Sequence, residues 1–159
     1  MGRRWVGLGV TGLRRAVYAL VALPVALACL VLAAVGRADA AARARLGSLR
    51  RFAGVHLATA PGTGRLVRHL LLSLPADAVA CAVAGYLWLL LPMNLLYPVR
   101  LAVYDESARD SWGGPTVAGA WAVHAVGGVA VFVVAGLPIA AGLVRVQAWI
   151  ADRTLGGPA

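Results

Sequence analysis

The sequence has little charge, no lysine and only two cysteines. Charged residues make up 13% of its 159 residues and apolar residues 61%, whereas about 25% of an ordinary soluble domain is charged. A soluble domain of this size leaves much of its surface in water and could not hide so much apolar side chain. The scarcity of charge therefore excludes a soluble globular domain and a disordered chain, and it indicates that lipid surrounds most of the protein.

The absent lysine and the scarce cysteines also exclude kinds of site. Without lysine the chain lacks the Gly-Lys-Ser/Thr ending of a phosphate-binding P-loop. Cys29 and Cys81 lie in apolar stretches without CxxC spacing, which predicts small buried side chains and neither disulfide nor metal site. Residues 7–12 fit the GxGxxG spacing, but only six residues precede them where a strand is needed, so we expect an N-terminal arm. No cofactor, metal or catalytic motif is predicted.

Three long runs with almost no charge predict membrane-spanning helices at about residues 16–36, 76–99 and 116–144. The first run has 21 uncharged residues, enough for a helix to cross a hydrocarbon core of about 30 Å. A cleaved signal peptide is the alternative, disfavoured because such apolar regions usually have about 7–15 residues. The predicted fold class is all-α: a multi-pass membrane helical bundle forming one membrane domain over residues 1–159.

A strongly basic connection joins the first two runs. Residues 37–69 contain seven arginines against the single acid Asp39, and this excess predicts a cytoplasmic location. The first half predicts a basic amphipathic helix that lies on an anionic membrane surface. The arginines assigned to that surface are Arg43, Arg45, Arg50 and Arg51. Since the basic residues flank apolar runs and no soluble scaffold carries them, no nucleic-acid partner is expected.

The topology that follows contains a conflict. The connection at residues 100–115 has a net charge of −1 and is predicted to be extracytoplasmic. With three spans, the arginines at positions 3, 4, 14 and 15 would then also lie outside, against the positive-inside tendency. Either these four arginines are outweighed by the seven of the basic connection, or the first run forms a shortened hairpin and the chain has four spans.

The extracytoplasmic loop and one histidine are the candidate sensing residues. The candidate sensing loop consists of Asp105, Glu106, Asp110 and Trp112. If this loop is helical, Glu106 and Asp110 share a face and could hold a cation or a basic ligand; local arginine–carboxylate pairs in a solvated loop are the alternative. His124 is a candidate intramembrane switch because an ionisable group is costly there, and the alternative is an imidazole hydrogen-bonded to a neighbouring helix.

Asp77 stands at the start of the second run. Because Ser73 and Pro75 precede it, we expect Asp77 in the first turn of a helix, where the helix dipole stabilises a carboxylate. An intramembrane relay acid is the alternative. No charged residues are expected to face one another within the spans, which argues against an ion pathway.

The order of these segments resembles the sensor domain found in actinobacterial membrane proteins, often N-terminal to sensor histidine kinases. The resemblance rests on a Leu-Pro region at 19–27, an Ala/Arg-rich helix at 37–54, a second Leu-Pro segment at 66–79, a Tyr-Pro pair at 97–98 and a terminal Leu-Gly within 149–158. That family usually has two spans before the Ala/Arg helix, where this chain has room for one. The resemblance implies a stand-alone, shortened sensor domain in the plasma (inner) membrane.

From these observations we expect a non-enzymatic signalling module whose partners are the lipid bilayer and a histidine kinase or other signalling protein. The alternative is an accessory or scaffold subunit of a membrane transporter complex. Small residues four apart in the third run, Ala118/Ala122 and Gly136/Ala140, would allow a homodimer, and packing within the chain explains them equally well.

Overall fold

A computed structural model of the chain describes residues 2–56 and 61–156, with side chains described from residue 10 onward. The described part is 87% helical and contains no strand, which confirms the all-α prediction; residues 57–60 of the basic connection and 157–158 of the terminal motif lie outside it. The helices are α1 Gly2–Ala34, α2 Ala38–Ser48, α3 Thr63–Leu95, α4 Tyr97–Tyr104, α5 Val117–Val131 and α6 Leu137–Leu155. A π-helical turn, Leu49–Ala53, continues α2, and another, Phe132–Gly136, joins α5 to α6.

Three helical segments are long and apolar enough to cross a membrane: Val10–Ala34, Thr63–Leu95 and Val117–Leu155. A third or less of each apolar window is buried inside the protein, so most of that surface is available to lipid. The second segment begins well before the predicted residue 76, and the third continues past residue 144. The prediction of three helices with the length and apolar composition of membrane spans is confirmed, with different boundaries.

The first apolar run forms one helix. α1 is continuous from Gly2 to Ala34 and passes through Pro24. A shortened hairpin in this run, and with it a fourth span, is therefore wrong. The N-terminal arm expected at residues 7–12 is also wrong, because those residues are helical. Arg14 and Arg15 lie within α1, whereas Arg37, on the other flank of the apolar run, follows the end of the helix and precedes α2.

The chain divides into two compact units. Unit 1 comprises Met1–Ala84 and Ile139–Ala159, and unit 2 comprises Gly85–Pro138. Unit 1 therefore contains α1, α2, the first part of α3 and almost all of α6. Unit 2 contains the end of α3, α4, the connection that follows it and α5.

In unit 1, α2 turns back along α1. Gly36 has a left-handed backbone with φ of 78°, and the Arg37 amide donates to the Leu32 carbonyl at 2.8 Å, a Schellman ending that stops α1. Near that turn the Cys29 thiol lies 3.5 Å from the carbonyl oxygen of Ala41. Further along, the ring centroids of Tyr18 and Phe52 are 5.9 Å apart. Because numbering rises along α2 as it falls along α1, the two are antiparallel, and α2 lies against the apolar part of α1.

In unit 2, close backbone approach fixes the connection onto α5. A Cβ atom on Gly113, whose φ is 89°, would lie 2.4 Å from the carbonyl oxygen of Gly119, so only glycine fits at this position. The Thr116 hydroxyl accepts a 3.1 Å hydrogen bond from the Gly119 amide and caps α5. The indole of Trp121 donates to the Leu95 carbonyl at the end of α3 at 2.8 Å. These contacts hold α5 beside the end of α3.

Candidate functional site

One face of α3 in unit 1 carries three buried polar side chains. His69, Ser73 and Asp77 are spaced by four residues and are fully buried, and this spacing places them one above another on one side of a helix. Asp77 is 14 residues from the start of the apolar segment Thr63–Leu95, or about 21 Å along its axis at 1.5 Å per residue. The carboxylate therefore lies in the central part of a helix long enough to span a membrane.

Arg45 of α2 binds all three of these side chains. Its Nη2 donates to Asp77 Oδ2 at 2.8 Å and to Ser73 Oγ at 3.1 Å, and its Nε donates to His69 Nε2 at 3.3 Å. Both charged side chains of the Arg45–Asp77 ion pair have no exposed surface. Because a buried unpaired charge is very costly, the guanidinium and the carboxylate each require the other.

α6 contributes the remaining two members. Gln147 Nε2 donates to Asp77 Oδ1 at 2.7 Å, and the Thr154 hydroxyl lies 2.7 Å from His69 Nδ1. Since Arg45 Nε can only donate, His69 Nε2 accepts, and the neutral imidazole carries its proton on Nδ1 and donates it to Thr154. Thr154 in turn donates to the Ile150 carbonyl at 2.7 Å. We call the six side chains the Arg45 cluster: Arg45, His69, Ser73, Asp77, Gln147 and Thr154.

The Arg45 cluster joins helices and leaves no group placed for nucleophilic attack. Both ring nitrogens of His69 are engaged, by Arg45 and Thr154, so His69 is not placed as a base toward Ser73. Ser73 Oγ instead lies 3.0 Å from Asp77 Oδ2 and 3.1 Å from the Leu70 carbonyl. Among the described residues, no three His, Cys, Asp or Glu side chains are grouped closely enough to hold a metal ion.

The cluster is not fully satisfied. Within the described part of the chain, Arg45 Nη1, Gln147 Oε1 and the Tyr18 hydroxyl are buried without a hydrogen-bond partner. A buried polar atom without a partner costs about 1–3 kcal/mol.

Two sequence predictions are wrong here. Asp77 does not lie in a first helical turn, because α3 begins at Thr63. Arg45 is not on a membrane surface, because its side chain is fully buried, whereas Arg43, Arg50 and Arg51 are exposed. The ion pair joins α3 to α2, and α2 is not one of the three apolar segments, so the expectation that no charges face one another within the spans stays a prediction. The signal that was available is the four-residue spacing of His69, Ser73 and Asp77 within a leucine-rich segment.

The candidate sensing loop in unit 2 is only partly helical. Asp105 ends α4 in a left-handed conformation with φ of 52°, and Asp110 lies in the short 3-10 turn Ala108–Asp110. Glu106 precedes that turn and is not helical, so the condition under which it would share a helical face with Asp110 is not met. Glu106 instead pairs with Arg100 at 3.0 Å, in agreement with the alternative of local arginine–carboxylate pairs. Trp112 is 83% exposed.

His124 packs against an aromatic ring. Its imidazole stacks on Tyr97 of α4, with centroids 3.7 Å apart and planes 10° from parallel. Its Nδ1 lies 2.8 Å from the carbonyl oxygen of Ala120, one turn earlier in α5. The expected hydrogen bond to a neighbouring helix is therefore replaced by a bond within α5, while Tyr97 supplies the contact with another helix.

Comparisons with family models, with curated proteins and with solved structures find no match to this chain.

Proposed function

We propose that this chain is a non-enzymatic, multi-pass protein of the plasma membrane that perceives a signal and relays it to a signalling partner. The observation that carries the proposal is the buried Arg45–Asp77 ion pair. Ionisable side chains at membrane depth are costly, and where they occur they usually serve function. Here the pair connects α2, which follows the first apolar helix, with α3, and Gln147 extends the connection to α6.

The relay we propose is a change in how these helices are held together. One acid, Asp77, accepts hydrogen bonds from α2 through Arg45 and from α6 through Gln147. A signal that altered the position of α3 would therefore act on both neighbours at once. A partner such as a histidine kinase would meet this change at the exposed end of α6 and at three exposed arginines, Arg43 of α2 and Arg50 and Arg51 of the π-helical turn that continues it.

Distance measurements between α2 and α6 test the relay. Cys29 and Cys81 are both free and would be replaced by alanine; spin labels would then be placed at Arg43→Cys and Asp152→Cys, which are exposed positions. In lipid nanodiscs we expect two distance populations whose ratio changes when Gln147→Leu removes one link to Asp77. A single population that is unchanged by Gln147→Leu would contradict the relay.

A matched label pair within α6 controls for local label motion. Labels at Arg145→Cys and Asp152→Cys lie on one helix, so their distance should stay the same in every variant. Copurification of the full chain from native membranes then separates the two function classes. A histidine kinase or response regulator supports the signalling role, whereas a transporter component supports the accessory or scaffold role.

A further inference from the structure

A cavity in unit 2 combines apolar walls with unpartnered hydrogen-bond acceptors. It has a volume of about 320 Å³ and lies between the end of α3 and α5. Its apolar lining includes Leu87, Leu90, Val131 and Phe132, and Asn94 and His124 are its amide and imidazole members. Its size falls within the range of small-molecule sites, which are mainly apolar with a few placed polar groups.

The side-chain amide of Asn94 provides one hydrogen-bond acceptor. Its Nδ2 donates to the Leu90 carbonyl of the preceding turn at 2.7 Å. Because that bond requires the amide nitrogen, the other atom of the side-chain amide is the acceptor Oδ1. No hydrogen bond to Oδ1 is found within the described part of the chain.

His124 offers a nitrogen lone pair. A backbone carbonyl can only accept, so the Nδ1 atom bonded to Ala120 carries the proton. The neutral ring then has an acceptor at Nε2, for which no partner is found among the residues described. The stack on Tyr97 fixes the orientation of the imidazole. The lining of one apolar cavity thus contains two hydrogen-bond acceptors, and the donor group on each of these two side chains is already bonded to a backbone carbonyl.

A second, charged cavity adjoins the first. It has a volume of about 380 Å³ and is lined by Arg100, Glu106 and Asp110 among others. His124 and Trp112 line both cavities, and Trp112 is highly exposed. An occupant that suits both spaces has an apolar body, a hydroxyl group and an end that tolerates water.

We propose that the cavity at Asn94 and His124 binds a hydroxyl-bearing apolar small molecule, a membrane-soluble alcohol or phenol. The hydroxyl donates to Asn94 Oδ1 or His124 Nε2, and the carbon skeleton packs on Leu87 and Phe132. Ligand binding at this site is independent of the relay. The role of the bound molecule as the signal rests on the function proposed above.

The glycine pair of α5 provides a variant and its control. A Cβ atom on Gly127, which lines the cavity, meets no heavy atom within 4 Å. We therefore expect Gly127→Leu to occupy the cavity from a Cβ position that is free of steric overlap. Gly142 of α6 also has open space at its Cβ position but lies in unit 1, so Gly142→Leu is the matched control.

The test uses 2-naphthol and its methyl ether, 2-methoxynaphthalene, which has nearly the same shape but no donor. Energy transfer from tryptophan to the naphthalene ring would be measured with the full chain in nanodiscs and corrected with empty nanodiscs. We expect saturable binding of 2-naphthol and binding of the ether that is about tenfold weaker, because the ether cannot donate the one hydrogen bond that the hydroxyl makes to an acceptor of the cavity. Gly127→Leu should abolish the saturable signal, and Gly142→Leu should retain it.

His124→Phe separates the hydrogen bond from the apolar contact. Phenylalanine preserves a ring beside Tyr97 and removes Nε2, so the preference for 2-naphthol over the ether should fall while ether binding persists. Equal affinity for the two probes in the natural chain, or saturable binding in Gly127→Leu, would overturn the proposed site. Binding of 2-naphthol that left the α2–α6 distance populations unchanged would uphold the site and reject its role as the signal.

Discussion

The two units place their polar side chains in opposite ways. In unit 1 the side chains of the Arg45 cluster are turned toward one another, and the ion pair of 2.8 Å has no exposed surface on either partner. In unit 2 the ion pair between Arg100 and Glu106 is nearly as short, at 3.0 Å, but its side chains are 41% and 46% exposed. The length of an ion pair therefore says little about what it contributes, and burial decides how much is lost when one partner is removed.

The largest expected effect comes from breaking the buried pair. Asp77→Ala would leave the guanidinium of Arg45 buried without a counter-charge, so we expect the free energy of unfolding to fall by about 3–5 kcal/mol. Titration with SDS in mixed micelles, followed by circular dichroism, would measure the change. A loss as small as that of an exposed pair would show that Arg45 is not buried as described.

Removing both charges sharpens the comparison. The double variant Arg45→Met/Asp77→Leu has no charge left to bury, and apolar replacement of a buried ion pair is often neutral or stabilising. We expect the double variant to regain most of the stability that Asp77→Ala loses, measured by the same SDS titration. If the double variant were as unstable as Asp77→Ala, lost packing and not the unpaired charge would be the cause.

Adjacent glycines in unit 2 give the next largest effect. A Cβ atom on Gly128 would lie 2.6 Å from the Cβ atom of Asn94, whereas one on Gly127 meets nothing within 4 Å. Because Cβ atoms are fixed to the backbone, Gly128→Ala must push α5 away from α3, at a cost of about 1–3 kcal/mol. Gly127→Ala should cost nothing measurable. The two midpoints of thermal unfolding in detergent would be compared, and equal midpoints would contradict the close approach of these helices.

The contrast between the units also separates what the sequence could predict from what it could not. The apolar runs and their helical nature follow from local composition, as does the stop of α1 at Gly36, where a left-handed residue is needed. The boundaries of the apolar helices differ from the predicted ones because a helix continues through any adjacent residues that tolerate helical backbone angles. α3 begins at Thr63 and continues through Pro75 to Asp77, so Pro75 did not mark a helix start.

The Arg45 cluster could not be predicted from residues that are neighbours in the sequence. Arg45 and Asp77 are 32 residues apart, and Gln147 joins them from 70 residues beyond Asp77. An arginine-rich segment predicts a membrane-surface helix when only the sequence neighbours of each arginine are considered. Contacts with α3 bury one of those arginines, Arg45, while Arg43 and Arg50 remain exposed. Pairing across three helices is a tertiary property, and single-sequence periodicity does not contain it.

The smallest expected effect is the counterpart of the first. Glu106→Gln removes the charge of an exposed pair, so the free energy of unfolding should fall by about 0–1 kcal/mol. Raising the salt concentration to about 1 M should erase this difference, because the screening length shrinks to about 3 Å. The loss in Asp77→Ala should persist at the same salt concentration, since its partner is shielded from solvent ions. The opposite result would be a loss that disappears at high salt in Asp77→Ala and persists at high salt in Glu106→Gln. It would show that Arg45–Asp77 is the exposed pair and Arg100–Glu106 the buried one.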